Sequence, residues 1–297
     1  MSKTETEPSV SAEIEPTVLT IPALDGYPLE ARLFTPAKDS RALVILNSAT
    51  GVQQRYYQAF AEATARLGFT VLTYDYRGIG GSRQGDLRGF EARMEDWARL
   101  DFGGVLRWSA DQASRRFVIG HSFGGQAIGF TPGADQLDGG IFIAVQSGYW
   151  RHWSGAGRLR LFLLWHGIIP LVCRLRGFLP GSLGIGEDLP SGVARQWARW
   201  GRHPEYAFGH LAEAKDLAAR VRWPILALSF SDDGYAPRRS VDAILSYFSS
   251  AEREHRHLKP HDFGLARIDH FGFFKKRHTV LWRLAHDRLE TLSHRSS

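Results

Sequence analysis

Residues 117–126 read Phe-Val-Ile-Gly-His-Ser-Phe-Gly-Gly-Gln, an apolar run that leads into a serine flanked by glycines. Positions 120–124 match the pattern G-x-S-x-G, in which a serine occupies the sharp turn between a strand and a helix. The flanking glycines allow this turn because they lack a Cβ atom. The helix that follows Ser122 would direct the positive end of its dipole toward the site where an oxyanion would form. The stretch therefore predicts a strand–turn–helix unit that presents a nucleophile.

Apolar runs of strand length alternate with segments of helical spacing over most of the 297 residues. The turn pair Asp25-Gly26 predicts a hairpin between the first two strands. This alternation predicts an α/β fold with a mostly parallel eight-stranded sheet and helices on both faces. The predicted strands are residues 17–21, 28–34, 42–47, 70–74, 117–120, 141–145, 225–230 and 255–258. The predicted helices of the core include residues 53–67, 94–108, which two internal glycines weaken, and 279–292.

One long segment, residues 147–217, interrupts this alternation. It contains five of the nine tryptophans and no strand pattern. The sequence therefore predicts a helical insertion over 147–217 and a core formed by 17–146 and 218–297. Residues 1–16 are polar and acidic, and we expect a flexible tail there.

The bulk composition is that of a globular protein, with 43% hydrophobic residues and a formal net charge of +6. The densest basic run, residues 275–278, lacks the interleaved aromatic side chains of a nucleic-acid surface, so a solvated end of an element is expected there. No nucleic-acid partner is predicted. The single cysteine, Cys173, excludes an intramolecular disulfide and ends an apolar run, which predicts a buried structural thiol.

Neither the N-terminal segment nor the most apolar stretch indicates export or a membrane span. Residues 1–16 lack the basic start and apolar core of a signal peptide. Residues 161–172 are the most apolar stretch, but they fall short of the about 20 residues that cross a bilayer, and they contain Pro170. We therefore expect a cytoplasmic protein without a membrane span. The sequence does not indicate an oligomeric state.

The glycines that follow the predicted strand 70–74 require comparison with nucleotide-binding loops. Gly78 and Gly80 begin a G-x-G pattern, but Arg83 occupies the position of the third glycine of G-x-G-x-x-G. The Gly-Lys-Ser ending of a P-loop is also missing. A tight turn is expected here, and no cofactor or metal is predicted.

A serine nucleophile needs a histidine base, and the base needs a carboxylate that fixes its tautomer. In hydrolases with the G-x-S-x-G turn, the chain order is serine, acid, histidine. Asp232 and Asp233 follow the predicted strand 225–230, so their carboxylates would lie where open α/β sheets bind ligands. A solvated turn is the alternative for this segment.

The base has to be chosen among twelve histidines. His270 follows the last predicted strand and has apolar neighbours, which suits a loop packed over a site, so it is favoured over His261. The side chain of His121, inside the G-x-S-x-G turn, is expected to point away from Ser122. The histidines expected at the surface, because they lie among charged residues, are His255, His257 and His278.

Several ordered motifs carry a resemblance to the α/β-hydrolase superfamily over nearly the whole chain, and most of all to a bacterial group of predicted serine hydrolases. The resemblance implies the α/β-hydrolase fold, Ser122 as nucleophile and His270 as base. It favours Asp233 over Asp232, because the acid of many relatives lies four residues before a proline, here Pro237. The motifs are residues 74–82, 120–124, 232–237 and 270–274.

The resemblance also predicts where an oxyanion would be held. Many relatives have His-Gly after the third strand, whereas residues 47–51 of this chain read Asn-Ser-Ala-Thr-Gly. The backbone N–H of Ala49 or of Thr50 can still serve, together with the N–H of Phe123. Which of the first two donates is left open, and a loop that merely caps the next helix is the alternative.

The insertion 147–217 occupies the place where such hydrolases carry a lid. Tyr149, Trp150 and Trp153 follow a strand end, so they are expected to overhang Ser122 and contact substrate; packing within the lid is the alternative. An aromatic lid favours a small-molecule acyl substrate with a hydrophobic body. The chain is therefore expected to be a serine hydrolase of carboxylic esters. An acyltransferase or thioesterase with the same triad, or a non-catalytic protein that binds a hydrophobic ligand, is the alternative.

Overall fold

The structure is a computed structural model that describes residues 14–184 and 186–294. The predicted flexible tail, residues 1–16, lies outside the described residues except for its last three. The strands are β1 Thr17–Pro22, β2 Pro28–Phe34, β3 Leu43–Asn47, β4 Thr70–Tyr74, β5 Arg116–His121, β6 Gly139–Ile143, β7 Phe178–Leu179, β8 Leu189–Pro190, β9 Ile225–Phe230 and β10 Arg253–Leu258. The α-helices are α1 Gln58–Arg66, α2 Met94–Asp96, α3 Gly103–Ala110, α4 Phe123–Ile128, α5 Gly155–Leu163, α6 Ile169–Arg176, α7 Ser191–Gly201, α8 Ala214–Arg220, α9 Arg238–Leu245 and α10 Thr279–His294.

Eight strands form one sheet in the order β1-β2-β4-β3-β5-β6-β9-β10. β2 runs antiparallel to β1 and β4, and all other neighbours in this sheet are parallel. The predicted mostly parallel eight-stranded sheet is therefore confirmed. Because β3, β5, β6 and β9 run in one direction, their carboxyl ends meet at one edge of the sheet, where the register pairs Asn47 with Gly120 and His121 with Ile143.

The central strands are buried along their whole length, as expected where helices cover both faces of a sheet. Every residue of β3 and of β9 is buried. β10 differs, because its sequence Arg-Glu-His-Arg-His-Leu is polar and none of its residues is fully buried. It is an edge strand, where polar side chains are tolerated. This weak apolar pattern explains why the sequence predicts only its last four residues.

The glycine-rich segment after β4 is a packed turn, as predicted. The Asp75 carboxylate accepts the backbone N–H groups of Gln54 at 2.7 Å and of Gly81 at 3.0 Å. Gly80 has a φ of +48°, and a Cβ atom there would lie 2.3 Å from the Asp75 carboxylate. Ser82 Oγ donates to the Asp75 carbonyl at 2.7 Å. The glycines therefore allow the chain to close around Asp75 beside the sheet edge.

Residues 147–217 are mainly helical, and they also contain the antiparallel pair β7 and β8. The expectation that they have no strand is wrong, because two-residue strands are too short to show an alternating pattern. α5, a π-helical segment Leu164–Ile168 and α6 form one continuous helix, Gly155–Arg176, which we call the insertion helix. Its 22 residues are long and apolar enough to cross a membrane by length and composition, so the sequence-based length argument is wrong.

Pro170 lies inside the insertion helix without ending it. Proline removes a backbone donor and crowds the preceding turn of a helix. Here the wider π-helical turn, Leu164–Ile168, comes directly before α6 and places Pro170 in the first turn of α6, where a missing N–H is tolerated. Cys173 lies on the buried side of the same helix, as predicted, and burial raises the pKa of its thiol.

Candidate active site

Ser122 occupies the turn between β5 and α4 in a strained conformation. Its φ is 51° and its ψ is −116°, a backbone region that residues with a side chain rarely adopt. The turn lies against β3 so closely that a Cβ atom on Gly124 would be 2.2 Å from the Asn47 carbonyl oxygen. Glycine is therefore required at position 124. This geometry lifts the serine side chain off the end of β5, as the G-x-S-x-G pattern predicts.

His270 and Asp233 form a buried pair at the same sheet edge. The Nδ1 atom of His270 lies 2.8 Å from Asp233 Oδ2, and both side chains are almost fully enclosed. The other carboxylate oxygen, Oδ1, accepts the N–H groups of Tyr235 at 2.7 Å and Ala236 at 3.0 Å. Asp233 therefore holds the proton of His270 on Nδ1, which leaves Nε2 as the ring nitrogen able to accept one.

The neighbouring acid, Asp232, does not contact the imidazole of His270. Its Oδ2 atom accepts the backbone N–H groups of Ile268 at 2.9 Å and Asp269 at 3.1 Å. These two residues immediately precede His270. Asp232 thus ties down the loop that carries the histidine, while Asp233 contacts the ring itself.

The remaining candidate histidines lie elsewhere. The side chain of His261 is 73% exposed and lies beside Asp262. His255 and His257 are partly exposed on β10 and share hydrogen bonds with Ser229 Oγ. His278 is buried, and its Nδ1 donates to the Gly272 carbonyl at 2.8 Å, so the expectation of a surface residue is wrong there. The expectation rested on its charged neighbours in the sequence, whereas its own side chain points into the protein.

His121, inside the turn, joins three parts of the site. Its Nε2 donates to the His270 carbonyl at 2.9 Å, and its Nδ1 accepts from the Tyr57 hydroxyl at 2.9 Å. The Tyr57 oxygen in turn accepts the N–H of Ala49 at 2.9 Å. Burial lowers the pKa of His121 to about 3, with a smaller contribution from the nearby His270, so the ring is neutral. Sequence reasoning missed Tyr57, because no motif marks it.

The hydroxyl of Ser122 contacts the side-chain amide of Gln146 at 3.4 Å. Among the described residues, no hydrogen bond joins Ser122 to His270, although both line one cavity. The amide of Gln126 on α4 donates to the Gln146 carbonyl at 2.6 Å and fixes the backbone beside the serine. Gln146 is a second residue that sequence reasoning missed, since a glutamine after a strand carries no signal of its own.

The cavity that contains Ser122 has a volume of about 290 Å³. Ser122, Gln146 and His270 line it, and Ala49 and Thr50 also border it. The insertion supplies most of its apolar wall, through Trp153, Leu161, Leu164, Trp165, Ile168, Leu183 and Trp197.

Of the three aromatic residues predicted to contact substrate, only Trp153 lines this cavity. Its indole Nε1 donates to the Gly234 carbonyl at 2.7 Å. Tyr149 and Trp150 lie outside the lining, half-buried. Trp150 packs against Phe162 of the insertion helix, with the Arg158 guanidinium 4.9 Å from its ring centre. Trp165 and Trp197, which line the cavity, are placed there by contacts from within the insertion.

The arrangement suits nucleophilic chemistry. Within the part of the chain that the structure describes, no group of three or more His, Cys, Asp or Glu side chains is placed to hold a metal ion. A strained serine, a histidine with one ring nitrogen tied to a buried carboxylate, and an apolar cavity are the components of acyl transfer through a covalent intermediate.

Comparisons with known proteins give one family match over part of the chain and several solved structures with a similar fold. The family model described as serine aminopeptidase, S33, matches residues 38–161. No curated protein sequence gives a significant match. A thermostable carboxyl esterase from Bacillus coagulans superposes with a TM-score of 0.64 at 14% identity, over 94% of this chain and 99% of the esterase.

Two further solved structures have similar scores. Est1E from Butyrivibrio proteoclasticus, with ferulic acid bound, has a TM-score of 0.64 at 15% identity, over 93% of this chain and 100% of its own. A proline iminopeptidase from Mycobacterium smegmatis has a TM-score of 0.62 at 15% identity, over 93% of this chain and 99% of its own. At such identities the likeness shows a shared fold.

Proposed function

We propose that this chain, an α/β hydrolase by fold, is a serine hydrolase that cleaves carboxylic esters of a hydrophobic acyl group. The observation that carries the proposal is the meeting of the strained Ser122 and the buried His270–Asp233 pair on one apolar cavity. A serine in a costly backbone conformation that shares a cavity with a tautomer-fixed imidazole is the arrangement that nucleophilic catalysis requires.

Ser122 Oγ is the nucleophile in this proposal. As it bonds to the ester carbonyl carbon, its proton passes to His270 Nε2 and the carbonyl electron pair moves to the oxygen. Asp233, 2.8 Å from Nδ1, stabilises the resulting imidazolium. The tetrahedral intermediate then expels the alkoxide, which takes the proton from Nε2. Water repeats the sequence on the acyl enzyme and releases the acid.

Substrate binding has to bring Ser122 and His270 closer. The 3.4 Å contact between Ser122 Oγ and Gln146 is long for a hydroxyl hydrogen bond, so little is lost when the hydroxyl turns toward His270. Catalytic hydrogen bonds often tighten only when substrate is present.

For the oxyanion, we assign the backbone N–H groups of Thr50 and Phe123. The N–H of Ala49 already donates to the Tyr57 hydroxyl at 2.9 Å. In the described part of the chain, the N–H groups of Thr50 and Phe123 have no hydrogen-bond partner. Two free donors on either side of the nucleophile match the arrangement that stabilises a tetrahedral oxyanion.

The cavity wall supports an ester substrate rather than a peptide with a free amino group. The insertion acts as the lid in this proposal, and its indoles and leucines would enclose an acyl chain. Arg160 is the charged lid residue on the wall, and no carboxylate lies on the described lining. A substrate ammonium group would have no counter-ion there, and its burial would be costly.

The proposal is tested by hydrolysis of p-nitrophenyl esters and matched thioesters of increasing acyl length. We expect kcat/KM to rise with chain length until the acyl group fills the cavity. Each methylene that is buried there stabilises the bound transition state by about 1–3 kcal/mol at most. Ser122→Ala should lower turnover by several orders of magnitude in a folded protein. Hydrolysis of amino-acyl anilides in preference to all esters would contradict the proposal.

A further inference from the structure

The insertion helix, Gly155–Arg176, is an apolar helix of which only a narrow stripe is covered by protein. Leu161, Trp165, Ile169 and Cys173, spaced four residues apart, are buried against the rest of the molecule. Only 22% of its most apolar 18-residue window is buried. Since the stripe fixes one side of the helix to the protein, the helix lies along the molecular surface.

The opposite side of the helix exposes large apolar side chains to solvent. Leu159, Leu163, Leu171 and Leu175 are 59%, 50%, 58% and 74% exposed. The described part of the chain has eleven large hydrophobic side chains that are exposed, and six of them lie on this helix. Isolated exposed leucines are ordinary, whereas a continuous apolar surface indicates a partner.

The charged residues in the stretch of sequence that contains this helix are all basic. Residues 139–186 contain five arginines and no aspartate or glutamate. Among the described residues, none of these five arginines forms a salt bridge. Arg158 and Arg160 lie toward one end of the helix, and Arg174 and Arg176 lie at the other. An apolar helix side bordered by arginines that lack a carboxylate partner is complementary to a lipid surface with anionic headgroups.

The same helix forms part of the cavity wall. Leu161, Leu164, Trp165 and Ile168 line the cavity that contains Ser122. Ile168 is also 43% exposed, so the apolar surface and the cavity wall are continuous at that residue. An acyl chain that leaves a lipid layer at this point would enter the cavity without crossing water.

We propose that the insertion helix docks the protein on an anionic lipid bilayer. The helix lies in the plane of the interface, with Leu159, Leu163, Leu171 and Leu175 among the upper acyl segments and the arginines at the headgroups. The substrate is then an acyl amphiphile that partitions into the bilayer. The substrate statement rests on the proposed esterase function, whereas the docking statement does not.

The test is co-sedimentation with vesicles of phosphatidylcholine alone or of phosphatidylcholine with phosphatidylserine. We expect the wild-type protein to bind the phosphatidylserine vesicles far more strongly, and added salt to weaken this binding. Leu171→Asp with Leu175→Asp should lower the partition coefficient about tenfold or more, because two leucines no longer bury apolar surface. The matched control is Val18→Asp with Val280→Asp, which adds the same charge at 62% and 49% exposed sites outside the helix.

Three results would overturn the docking proposal. The first is no binding to phosphatidylserine vesicles, and the second is an equal loss of binding in the control variant. The third is that the wild-type protein does not bind vesicles but forms a dimer, which the leucine variant no longer forms. The first two exclude a lipid partner for this surface, and the third assigns the surface to a second copy. Melting temperatures confirm that both variants fold.

A separate pair of measurements distinguishes failure of docking from failure of the proposed function. Ser122→Ala should bind vesicles as the wild type does, because Ser122 lies inside the cavity. The leucine variant should hydrolyse a soluble short-chain ester at the wild-type rate and lose activity only toward a long-chain ester held in vesicles. If neither the wild-type protein nor the leucine variant hydrolyses any ester while the wild type still binds vesicles, the proposed function is wrong and the docking stands.

Discussion

Asp232 and Asp233 are adjacent in the chain, yet one carboxylate contacts the His270 ring and the other contacts the backbone before it. Asp233 Oδ2 lies 2.8 Å from His270 Nδ1. Asp232 Oδ2 accepts the backbone N–H groups of Ile268 and Asp269, at the start of the loop that carries His270. One carboxylate orients the proposed base, and the other anchors its loop. Substitutions at the two positions therefore separate a contact with the reacting imidazole from a contact with the backbone.

We expect Asp233→Asn to lower kcat on the order of 10⁴-fold, because the amide neither stabilises the imidazolium nor selects its tautomer. Asp232→Asn keeps an oxygen that can accept the same backbone N–H groups, so its kcat should fall far less. Steady-state kinetics of both variants on one ester gives the ranking. A larger loss from Asp232→Asn would mean that the acid has been assigned one residue too late.

The sequence is sufficient to propose Ser122, Asp233 and His270 because Ser122 and Asp233 follow buried strands and His270 lies in a local apolar motif. Their catalytic roles remain predictions, but the structure places Asp233 against His270, and His270 and Ser122 on the lining of one cavity. Tyr57 and Gln146 could not be predicted. Tyr57 reaches His121 across 64 residues of chain, and such a contact exists only in the folded molecule.

At the scale of elements, periodicity predicts the core better than the insertion. The buried strands are continuous apolar runs, and their predicted bounds differ from the observed ones by at most two residues. The insertion helix is different, since one apolar stripe packs inward while leucines also cover its outer side. The sequence cannot tell an apolar face that is covered from one that is not. This is why Trp150 and Trp153 received the same prediction and occupy different environments.

We expect Trp153→Ala to shift ester preference toward longer or bulkier acyl groups, because the lost indole enlarges the cavity that it lines. The variant should also lose about 3–5 kcal/mol of stability, as buried tryptophans do. Trp150→Ala, outside the lining, is the matched control and should keep the wild-type preference. The chain-length profile and the melting temperature of each variant decide the matter. A shift in the Trp150 variant alone would contradict the assigned wall.

The last helix of the molecule, α10, packs on α1 through His286. This imidazole stacks on Phe60, with ring centres 5.3 Å apart, and its Nε2 lies 3.1 Å from Thr64 Oγ1. Burial lowers the pKa of His286 to about 4. A folded-state pKa below the unfolded one means that the unfolded chain binds the extra proton. Stability is therefore lost as the pH falls from the unfolded pKa toward the folded one.

His286 should thus contribute a slope of about 1.4 kcal/mol per pH unit to the free energy of unfolding between about pH 6.5 and pH 4. His286→Gln keeps a polar side chain of similar reach without the titration, so its stability should vary less steeply over this range. Denaturant titrations at several pH values measure the difference between the two proteins. Parallel curves for both would show that His286 titrates normally and that α10 does not bury it.

The fold of the whole molecule follows from the sequence, and the predicted α/β-hydrolase fold is confirmed. Covalent labelling with a fluorophosphonate tests whether Ser122 is the one nucleophile. Intact-mass measurement of the folded wild-type protein should show one adduct, located on Ser122 by peptide mapping, and Ser122→Ala should show none. An unlabelled wild-type protein, or equal labelling of Ser122→Ala, would show that Ser122 is not the nucleophile.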